Sequence, residues 1–416
     1  MIKLSKFPFK TEKVPPKASD NVSTSLLLQA GFIRQVMAWV YTYTTLGLRV
    51  LRKIEKIIRE EMDNYGCYEI LMPGISPREF WEQTNRWEIE EYFKLPTYDN
   101  KFYRLNPTHE EIVVPLMKQF ITSYKDLPTC VYQIQTKYRN EKRAKSWLLR
   151  GREFLMKDAY SFHLTDEDFQ KFYKWMINVY KTIFDRLWIW KDTYLTYADG
   201  GTFTDKYSHE FQTLLPIGED TIYICEECWV AYNKEIVPES GFKCIKCGST
   251  KARVERASEV WNIFPLETKY SKPFDLKVLD ENWKEKDVIM GCYGIGVSRL
   301  MWVIAEYFTK DGKIFWPESI APADYYIIVL GNNLEKAEQL AKMLESEWKE
   351  VILDDRQGKK FGFGVKIKDA ELIWAPNIII ISDKTLEKGG YELRKLDEEK
   401  WKIVNVINKE KMFLNY

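Results

Sequence analysis

Two cysteine pairs constrain this chain more tightly than any other feature. Cys225-x-x-Cys228 is followed, after fifteen intervening residues, by Cys244-x-x-Cys247. Two tight knuckles at that separation can place four thiolates tetrahedrally around zinc at roughly 2.3 Å. All four ligands would come from the protein, so the site is structural and leaves no position for water. The competing reading is a set of reduced core cysteines. Cys67, Cys130 and Cys292 stand alone and read as packing residues, and seven cysteines, an odd number, argue against a disulfide framework.

At 416 residues the chain is long enough for two or three domains. An apolar fraction of 45%, with 15 Trp, 25 Tyr and 22 Phe, supplies a sizeable core and excludes wholesale disorder. The 62 Lys and Arg nearly cancel the 61 Asp and Glu, leaving +1, so a polyanionic partner must be held by a local basic patch. No apolar run approaches the roughly 18 residues of a membrane helix. The N-terminal Met1-Ile2-Lys3-Leu4-Ser5-Lys6 leads into polar residues and prolines, not a secretory stretch. A soluble cytoplasmic protein with no membrane partner is expected.

Along the chain, residues 1–20 read as an extended arm and Ser23–Asn64 as largely helical, with Leu51, Ile54, Ile57, Ile58 and Met62 at helical spacing. Tyr68–Pro73, Lys101–Leu105 and Thr129–Thr136 read as strands, and Thr165 as the N-cap of a helix reaching about Phe184. Gly291-Cys292-Tyr293-Gly294-Ile295-Gly296 reads as a tight turn between a strand and the apolar helix Val297–Phe308. Beyond Pro317–Pro322, strands and helices alternate as in a separate α/β domain.

Three further constellations carry chemistry. Between Lys137 and Arg152, seven cationic side chains fall within 16 residues. A solvated loop is the usual explanation, but arginines interleaved with Tyr138 and Phe154 suit a triphosphate beside a stacked base. The Gly-x-Gly at 294–296 fails as a dinucleotide fingerprint because Arg299 stands at its sixth position; what remains is an arginine in the first turn of a helix. The three histidines, His109, His163 and His209, form no nucleophilic triad, and a lone histidine is more often structural than catalytic.

Taken in order, these pieces resemble a class II aminoacyl-tRNA synthetase, specifically the bacterial-type prolyl-tRNA synthetases, from about Leu26 to Asp383. Leu26–Gln35 is similar to that family's opening, and Pro73 sits where its first motif has proline at the dimer interface. Arg139-Asn140-Glu141 looks like the second motif and Gly294–Arg299 like the third; Arg150–His163 and Met290–Met301 match the family almost verbatim. The resemblance implies an α+β fold: a class II antiparallel-sheet catalytic core in two parts (residues 1–222 and 257–321), a zinc-ribbon-like insert (223–256) and a C-terminal α/β anticodon-binding domain (322–416).

It also implies roles. Arg139 would clamp the substrate carboxylate and the α-phosphate of ATP. Arg299 would hold the γ-phosphate and stack on adenine opposite Phe154, with Glu141 accepting from the adenine amino group and Arg150 also on the nucleotide. Thr108, Glu110, Arg139 and His209 would select L-proline, whose secondary ammonium offers two N–H donors. Arg356, Lys366 and Asp369 would read the anticodon of tRNA(Pro). ATP is the expected co-substrate, Mg2+ the phosphate-screening ion, Zn2+ the ion at Cys225, Cys228, Cys244 and Cys247, and a homodimer the assembly. The alternatives are a threonyl-type synthetase or a non-catalytic tRNA-binding or regulatory paralogue. Larger bacterial members carry an editing domain between the second and third motifs, whereas here only the four-cysteine segment is inserted, so no clearance of alanyl-tRNA in cis is expected.

One composition figure stands apart. There are 15 Trp and only 20 Gly, where an average usage of about 7% would give roughly 29 Gly. Set against the family, Trp39, Trp147, Trp188, Trp229, Trp261, Trp283, Trp348 and Trp374 fall where glycine is usual, whereas Trp81, Trp87 and Trp316 fit as tryptophan. The pattern raises the expectation that UGA codons are read as glycine in the source organism, against genuine drift toward tryptophan.

Overall fold

The computed structural model describes residues 1–14, 21–141, 151–204, 206–395 and 402–405, the last four by backbone alone. The chain forms two compact units: Met37–Val40 with Ile54–Tyr307, and Met1–Val36 with Tyr41–Lys53 and Phe308–Tyr416. The first 36 residues thus group with the C-terminal unit and not with the core, unlike the sequence-based division at residue 322.

The larger unit is built on a nine-stranded sheet. Its strands are β1 (Tyr68–Glu69), β2 (Thr129–Tyr138), β3 (Glu153–His163), β4 (Thr193–Ala198), β5 (Ser208–Leu214), β6 (Asp220–Cys225), β7 (Ala231–Asn233), β8 (Ala252–Glu267) and β9 (Ile289–Gly296), in the order β5-β4-β7-β6-β8-β9-β3-β2-β1. The long central strands β6, β8, β9, β3 and β2 are antiparallel to one another, β1 joins β2 in parallel, and β5 pairs with β8 as well as β4, which closes one end into a ring. The ladder of β6 with β8 runs into the four-cysteine segment, so the insert grows out of the main sheet.

Side chains alternate across this sheet with period two. On one face β3 presents Phe154, Met156 and Asp158, β8 presents Val260, Asn262 and Phe264, and β9 presents Cys292, Gly294 and Gly296. The other face is covered by a helix, α1 (Asp166–Arg186), capped at Thr165 as its sequence dictates and burying Phe169, Tyr173, Met176, Tyr180 and Phe184. One face is therefore sealed and the other open.

Two sequence expectations change here. Residues 22–64 are not one helical run: helix Val22–Gln29 and helix Thr45–Asn64 flank a hairpin, Ile33–Met37 with Val40–Tyr43. The glycine-rich 291–296 segment is not a turn but the body of β9. Its glycines answer to crowding: a Cβ on Gly291 would meet the Tyr293 hydroxyl at 2.4 Å and Phe169 at 2.8 Å, and one on Gly296 would meet Arg299 Cβ at 3.2 Å.

In the smaller unit, the parallel strands β10 (Tyr325–Val329), β11 (Val351–Asp354) and β12 (Asn377–Ile381), extended by Ile2–Lys3 at one edge and antiparallel β13 (Gly390–Lys395) and β14 (Lys402–Asn405) at the other, form a six-stranded sheet. Helices α2 (Leu334–Ser346) and α3 (Phe363–Ile373) form its crossovers, as the alternation of β-rich and helical segments predicts. No helix among the described residues is long and apolar enough to cross a membrane.

Candidate active site

The open face of the larger sheet holds a cleft of about 880 Å³, counted out to its mouth. Thr108, Arg139, Glu141, Phe154 and Arg299 all line it. Residues 160 positions apart in sequence thus share one cavity. Arg139 follows directly on β2, where its backbone N–H donates to Arg152 O at 2.9 Å, and its guanidinium lies 5.2 Å from the Phe154 ring centroid. Cation and aromatic face are thereby stacked before any ligand arrives. Arg299 enters from the first turn of the helix that follows β9. Ser298 beside it accepts from the Leu155 N–H at 2.8 Å, which pins that turn to β3.

Charge at the Arg299 end is balanced within the protein. Its Nη1 donates to Glu259 O at 2.7 Å and to Glu259 Oε2 at 3.0 Å, and Nη2 lies 3.6 Å from Glu219 Oε1. Burial pushes the Glu219 carboxyl up, against the pull of Arg299. Glu210, on the neighbouring strand, accepts from Asn262 Nδ2 at 3.2 Å and Asn233 Nδ2 at 3.0 Å, and burial together with Glu259 raises it well above the usual carboxylate range.

At the opposite end Thr108 donates to Glu110 Oε2, and Glu110 Oε1 is buried without a partner. A fully buried carboxylate oxygen left open is costly unless a donor from outside meets it. Glu110 starts the helix Glu110–Met117, and buried Arg86 braces that start, donating to Glu111 Oε1 at 2.8 Å and lying 3.6 Å from Glu110 Oε2. The buried Cys292 thiol lines the cleft, as Thr108 does, and is pushed well up by burial and then by Glu110, which is itself fully buried and not among the lining residues.

Beneath this end runs a closed polar chain. Lys137 Nζ lies 2.6 Å from Asp158 Oδ1 and donates to His109 Nδ1 at 2.7 Å, while His109 Nε2–H donates to Pro73 O at 3.0 Å. Gln133 and the Tyr160 hydroxyl each donate to Asp158 Oδ2 at 2.9 Å. Burial, then the Lys137 charge, pushes His109 down to about 4, in keeping with the neutral tautomer that these bonds require.

Not every expected residue arrives. His209 does not line the cleft; it lies in a second depression with Tyr173, Tyr197 and Lys206, bonded to the Tyr173 hydroxyl at 2.8 Å. Strand alternation is the reason, because Glu210, one residue on, takes the side carrying Asn262. Arg150 lies outside the described residues. Lys137, counted from sequence among the cations suited to a triphosphate, is instead buried against Asp158 and His109; Asp158, Arg86, Glu210, Glu219 and Glu259 were missed, since nothing in their local sequence says which distant strand they meet.

The four cysteines do converge. Their sulfurs lie within 4.8 Å of one another, with Cys225–Cys247 at 3.5 Å and Cys228–Cys244 at 3.4 Å, close to the edges of a tetrahedron about zinc. The Tyr232 hydroxyl bonds Cys244 Sγ at 3.3 Å and would orient that ligand. All seven cysteines are free thiols.

In the smaller unit, Arg356, Lys366 and Asp369 meet, but inwardly. The Arg356 fork donates to both Asp354 oxygens at 2.8 and 2.7 Å and to Asp369 Oδ2 at 2.7 Å. Lys366 is 1% exposed, its ammonium spent on Val329 O and Asp354 O, which corrects the expectation that it touches RNA. A buried lysine that already holds two carbonyls supports the fold of the loop.

Comparison with known proteins agrees with this geometry. Residues 93–308 match the tRNA synthetase class II core domain (G, H, P, S and T), and residues 324–412 match an anticodon binding domain. A proline–tRNA ligase of Wolbachia sp. is 36% identical over 407 residues, covering 94% of this chain and 95% of its own. One from Sulfurihydrogenibium sp. is 32% identical over 560 residues, covering 97% and 98%. Among solved structures, the Giardia lamblia prolyl-tRNA synthetase bound to prolyl-adenylate superposes with a TM-score of 0.73 at 20% identity, covering 92% of this chain and 74% of its own. The Cryptosporidium parvum enzyme with halofuginone and AMPPNP gives 0.74 at 16%, covering 92% and 72%.

Proposed function

The chain belongs to the proline–tRNA ligase family of class II synthetases, and from that premise we propose how its cleft performs the reaction. The enzyme is an ATP-dependent aminoacyl-tRNA synthetase that activates proline and transfers it to tRNA. A proline carboxylate oxygen attacks the α-phosphorus of ATP in line, the bond to the β-phosphate oxygen breaks, and pyrophosphate leaves. The terminal ribose hydroxyl of tRNA then attacks the prolyl carbonyl and AMP departs.

Arg139 spans the carboxylate and α-phosphate, where negative charge concentrates in the transition state. Phe154, already stacked against it, and Arg299 sandwich the adenine, and Glu141 accepts from the adenine amino group. Proline's ammonium, with two N–H donors, is met by Thr108 and the open Glu110 oxygen, while Cys292 packs toward the ring. His209, in the second depression with Tyr173, takes no direct part in this pocket. Mg2+ needs one or two carboxylates besides phosphate and water. Glu259 beside Arg299 fits that need, and the ion would screen the triphosphate. Cys225, Cys228, Cys244 and Cys247 would hold Zn2+, which would tie the ribbon together and take no part in the chemistry.

Arg356 and Asp369 form the anticodon-reading edge, with guanine competing for a fork now held by Asp354. A homodimer would use the edge strand β1 and the segment around Pro73, where Tyr68 and Leu71 are 67% and 78% exposed. Seven free thiols suit the cytoplasm. The Sulfurihydrogenibium alignment runs to 560 positions against 416 residues here, so that relative carries a segment this chain lacks. Its absence supports the reading that alanyl-tRNA is not cleared in cis, and rapid deacylation of Ala-tRNA(Pro) by the purified enzyme would contradict it.

The carrying observation is that Arg139, Phe154, Glu141 and Arg299 open into one cleft with Thr108 at its end. The test is ATP–pyrophosphate exchange, which should depend on proline, ignore threonine, and vanish on Arg139→Ala. Exchange driven by threonine, or none with the intact chain, would overturn the assignment.

A further inference from the structure

Eleven non-glycine residues among those described have φ between 50° and 65°, the left-handed region that suits glycine. Five are Asn, Asp or Glu, and six are tryptophan: Trp39, Trp188, Trp229, Trp283, Trp348 and Trp374. An indole-bearing residue has no local hydrogen bond to offset that conformation, which is why bulky side chains almost never adopt it.

Each of the six stands where a glycine has a structural task. Trp188 and Trp348 end helices in the same bonding pattern: Trp188 N–H to Asp185 O with Ile189 N–H to Phe184 O, and Trp348 N–H to Glu345 O with Lys349 N–H to Leu344 O. That pair of bonds defines the Schellman motif, whose left-handed residue is usually glycine. Trp374 closes α3 by a single bond to Ala370 O, the related left-handed cap. Trp283 ends the turn between strands Lys277–Leu279 and Glu285–Asp287, and Trp39 completes the two-residue turn of the first hairpin.

Trp229 has an internal control. In the first knuckle its N–H donates to Cys225 O at 2.9 Å and Cys225 N–H donates to Val230 O at 3.0 Å. In the second, Gly248 N–H donates to Cys244 O at 2.9 Å and Cys244 N–H donates to Ser249 O at 2.8 Å. The two loops have one geometry, with φ +76° at Gly248 and +61° at Trp229. Burial points the same way: Trp188, Trp229, Trp283 and Trp348 are 58%, 64%, 83% and 95% exposed, far from ordinary for tryptophan. By contrast Trp81, Trp87, Trp302 and Trp316 have no positive φ and are 0%, 6%, 0% and 3% exposed.

We infer that the protein made in its own cell carries glycine at 39, 188, 229, 283, 348 and 374, through one codon, UGA, rendered here as tryptophan and decoded there as glycine. Six independent drifts to the bulkiest side chain, all at positions whose backbone suits glycine, need six coincidences; one codon reassignment needs one cause. Trp147 lies outside the described residues, and Trp261 has no positive φ, so the backbone argument stops at six. One consequence lies beside the cleft: Arg152, whose carbonyl accepts from the Arg139 N–H and whose guanidinium rests 5.1 Å from the Trp39 ring, has no indole there in the native enzyme.

Peptide mass spectrometry of the protein purified from its source cells decides the matter. Glycine at the six positions, with tryptophan retained at Trp81, Trp87, Trp302 and Trp316, is expected; tryptophan at Trp229, Trp283 and Trp348 overturns the inference. Recombinant protein gives a second readout. Trp188→Gly, Trp283→Gly and Trp348→Gly, at exposed sites where little packing is lost, should each favour folding by roughly tenfold, and alanine at the same sites should recover much less. Equal effects of glycine and alanine would count against a backbone requirement and so against the inference.

Discussion

The cleft and the cysteine ribbon grow from the same sheet yet are held in shape by opposite means. At and beneath the cleft, charges are paired within the protein: Arg299 has Glu219 and Glu259, and Lys137 has Asp158. The cost of removing those charges from water is met within the folded chain, so these groups are held in place without a ligand. In the ribbon four thiols face one another, with the Tyr232 hydroxyl adding a bond at Cys244. An ion there would complete its shape. A preorganised site and a ligand-completed site therefore respond differently to the same kind of insult, and each prediction below presses on that contrast.

Removing zinc is expected to have the largest effect. Structural zinc contributes on the order of 10 kcal/mol to the order of small metal modules, so chelation, or Cys228→Ser, should loosen the segment between β6 and β8. Hydrogen exchange there should rise sharply while proline-dependent pyrophosphate exchange falls by no more than a few-fold. A collapse of activity equal to the loss of structure would erase the distinction between the two regions. Next comes Arg139→Ala, which should lower kcat/KM for adenylate formation by about 10³-fold, the range for removing a positioned transition-state donor, with the melting temperature nearly unchanged. Arg299→Ala should cost comparable activity but also stability, because Glu219 and Glu259 lose their cation. The difference between the two variants measures how far the cleft is held by its own charges.

Glu110→Gln comes third. It keeps the shape but removes the charge that meets proline's ammonium, and a charged hydrogen bond is worth about 1.5–3 kcal/mol. KM for proline should rise between ten- and a hundred-fold while KM for ATP holds.

Acid separates the regions further. Burial lowers both His109 and His209 to about 4, below the ordinary value of 6.5. Between those values the unfolded chain binds the protons, so stability should fall as pH drops from about 6.5 to 4 and be fully present above 6.5. Zinc loss at low pH should be reversed by added zinc, as protons and metal compete for thiolates; the histidine-linked loss should not. Urea midpoints against pH, with and without zinc, test both.

The smallest effect lies inside the ribbon. Gly248→Ala, whose new Cβ would meet nothing within 4 Å, should cost about 1 kcal/mol through φ alone, and Trp229→Gly should gain a similar amount. Like signs from the two knuckles would break their equivalence.

Much of the site was legible in the sequence, for a definite reason. Arg139, Glu141, Phe154 and Arg299 line the cleft with side chains that sit at fixed offsets from strand ends and helix starts, so a motif names them. The cysteine spacing dictates its own geometry in the same way. His209 was misplaced because one residue of register on a strand exchanges faces, and local sequence does not say which face looks into the cleft. The 291–296 glycines suggested a turn because turns are where glycine is common. Gly291 is there because the Tyr293 hydroxyl and Phe169 of α1 crowd it, and Gly296 because Arg299 does, a crowding that appears only once strand and helix are folded together. Lys366, read as an RNA contact from its charge, is buried for the same kind of reason, since the carbonyls that hold it come from β10 and β11.

By itself, then, the sequence determined the cysteine tetrad, the two arginines that share the cleft, and the alternation of strand and helix after Pro322. These depend on short-range spacing, where bond geometry leaves few choices. Only the tertiary structure decided that Glu110 keeps an open oxygen, that Lys137 locks His109 neutral, that Arg356 already grips two aspartates, and that six tryptophans occupy glycine's backbone region. Such facts arise from the meeting of strands far apart in the chain, and pairing energies between them are set by packing and burial that no local window contains.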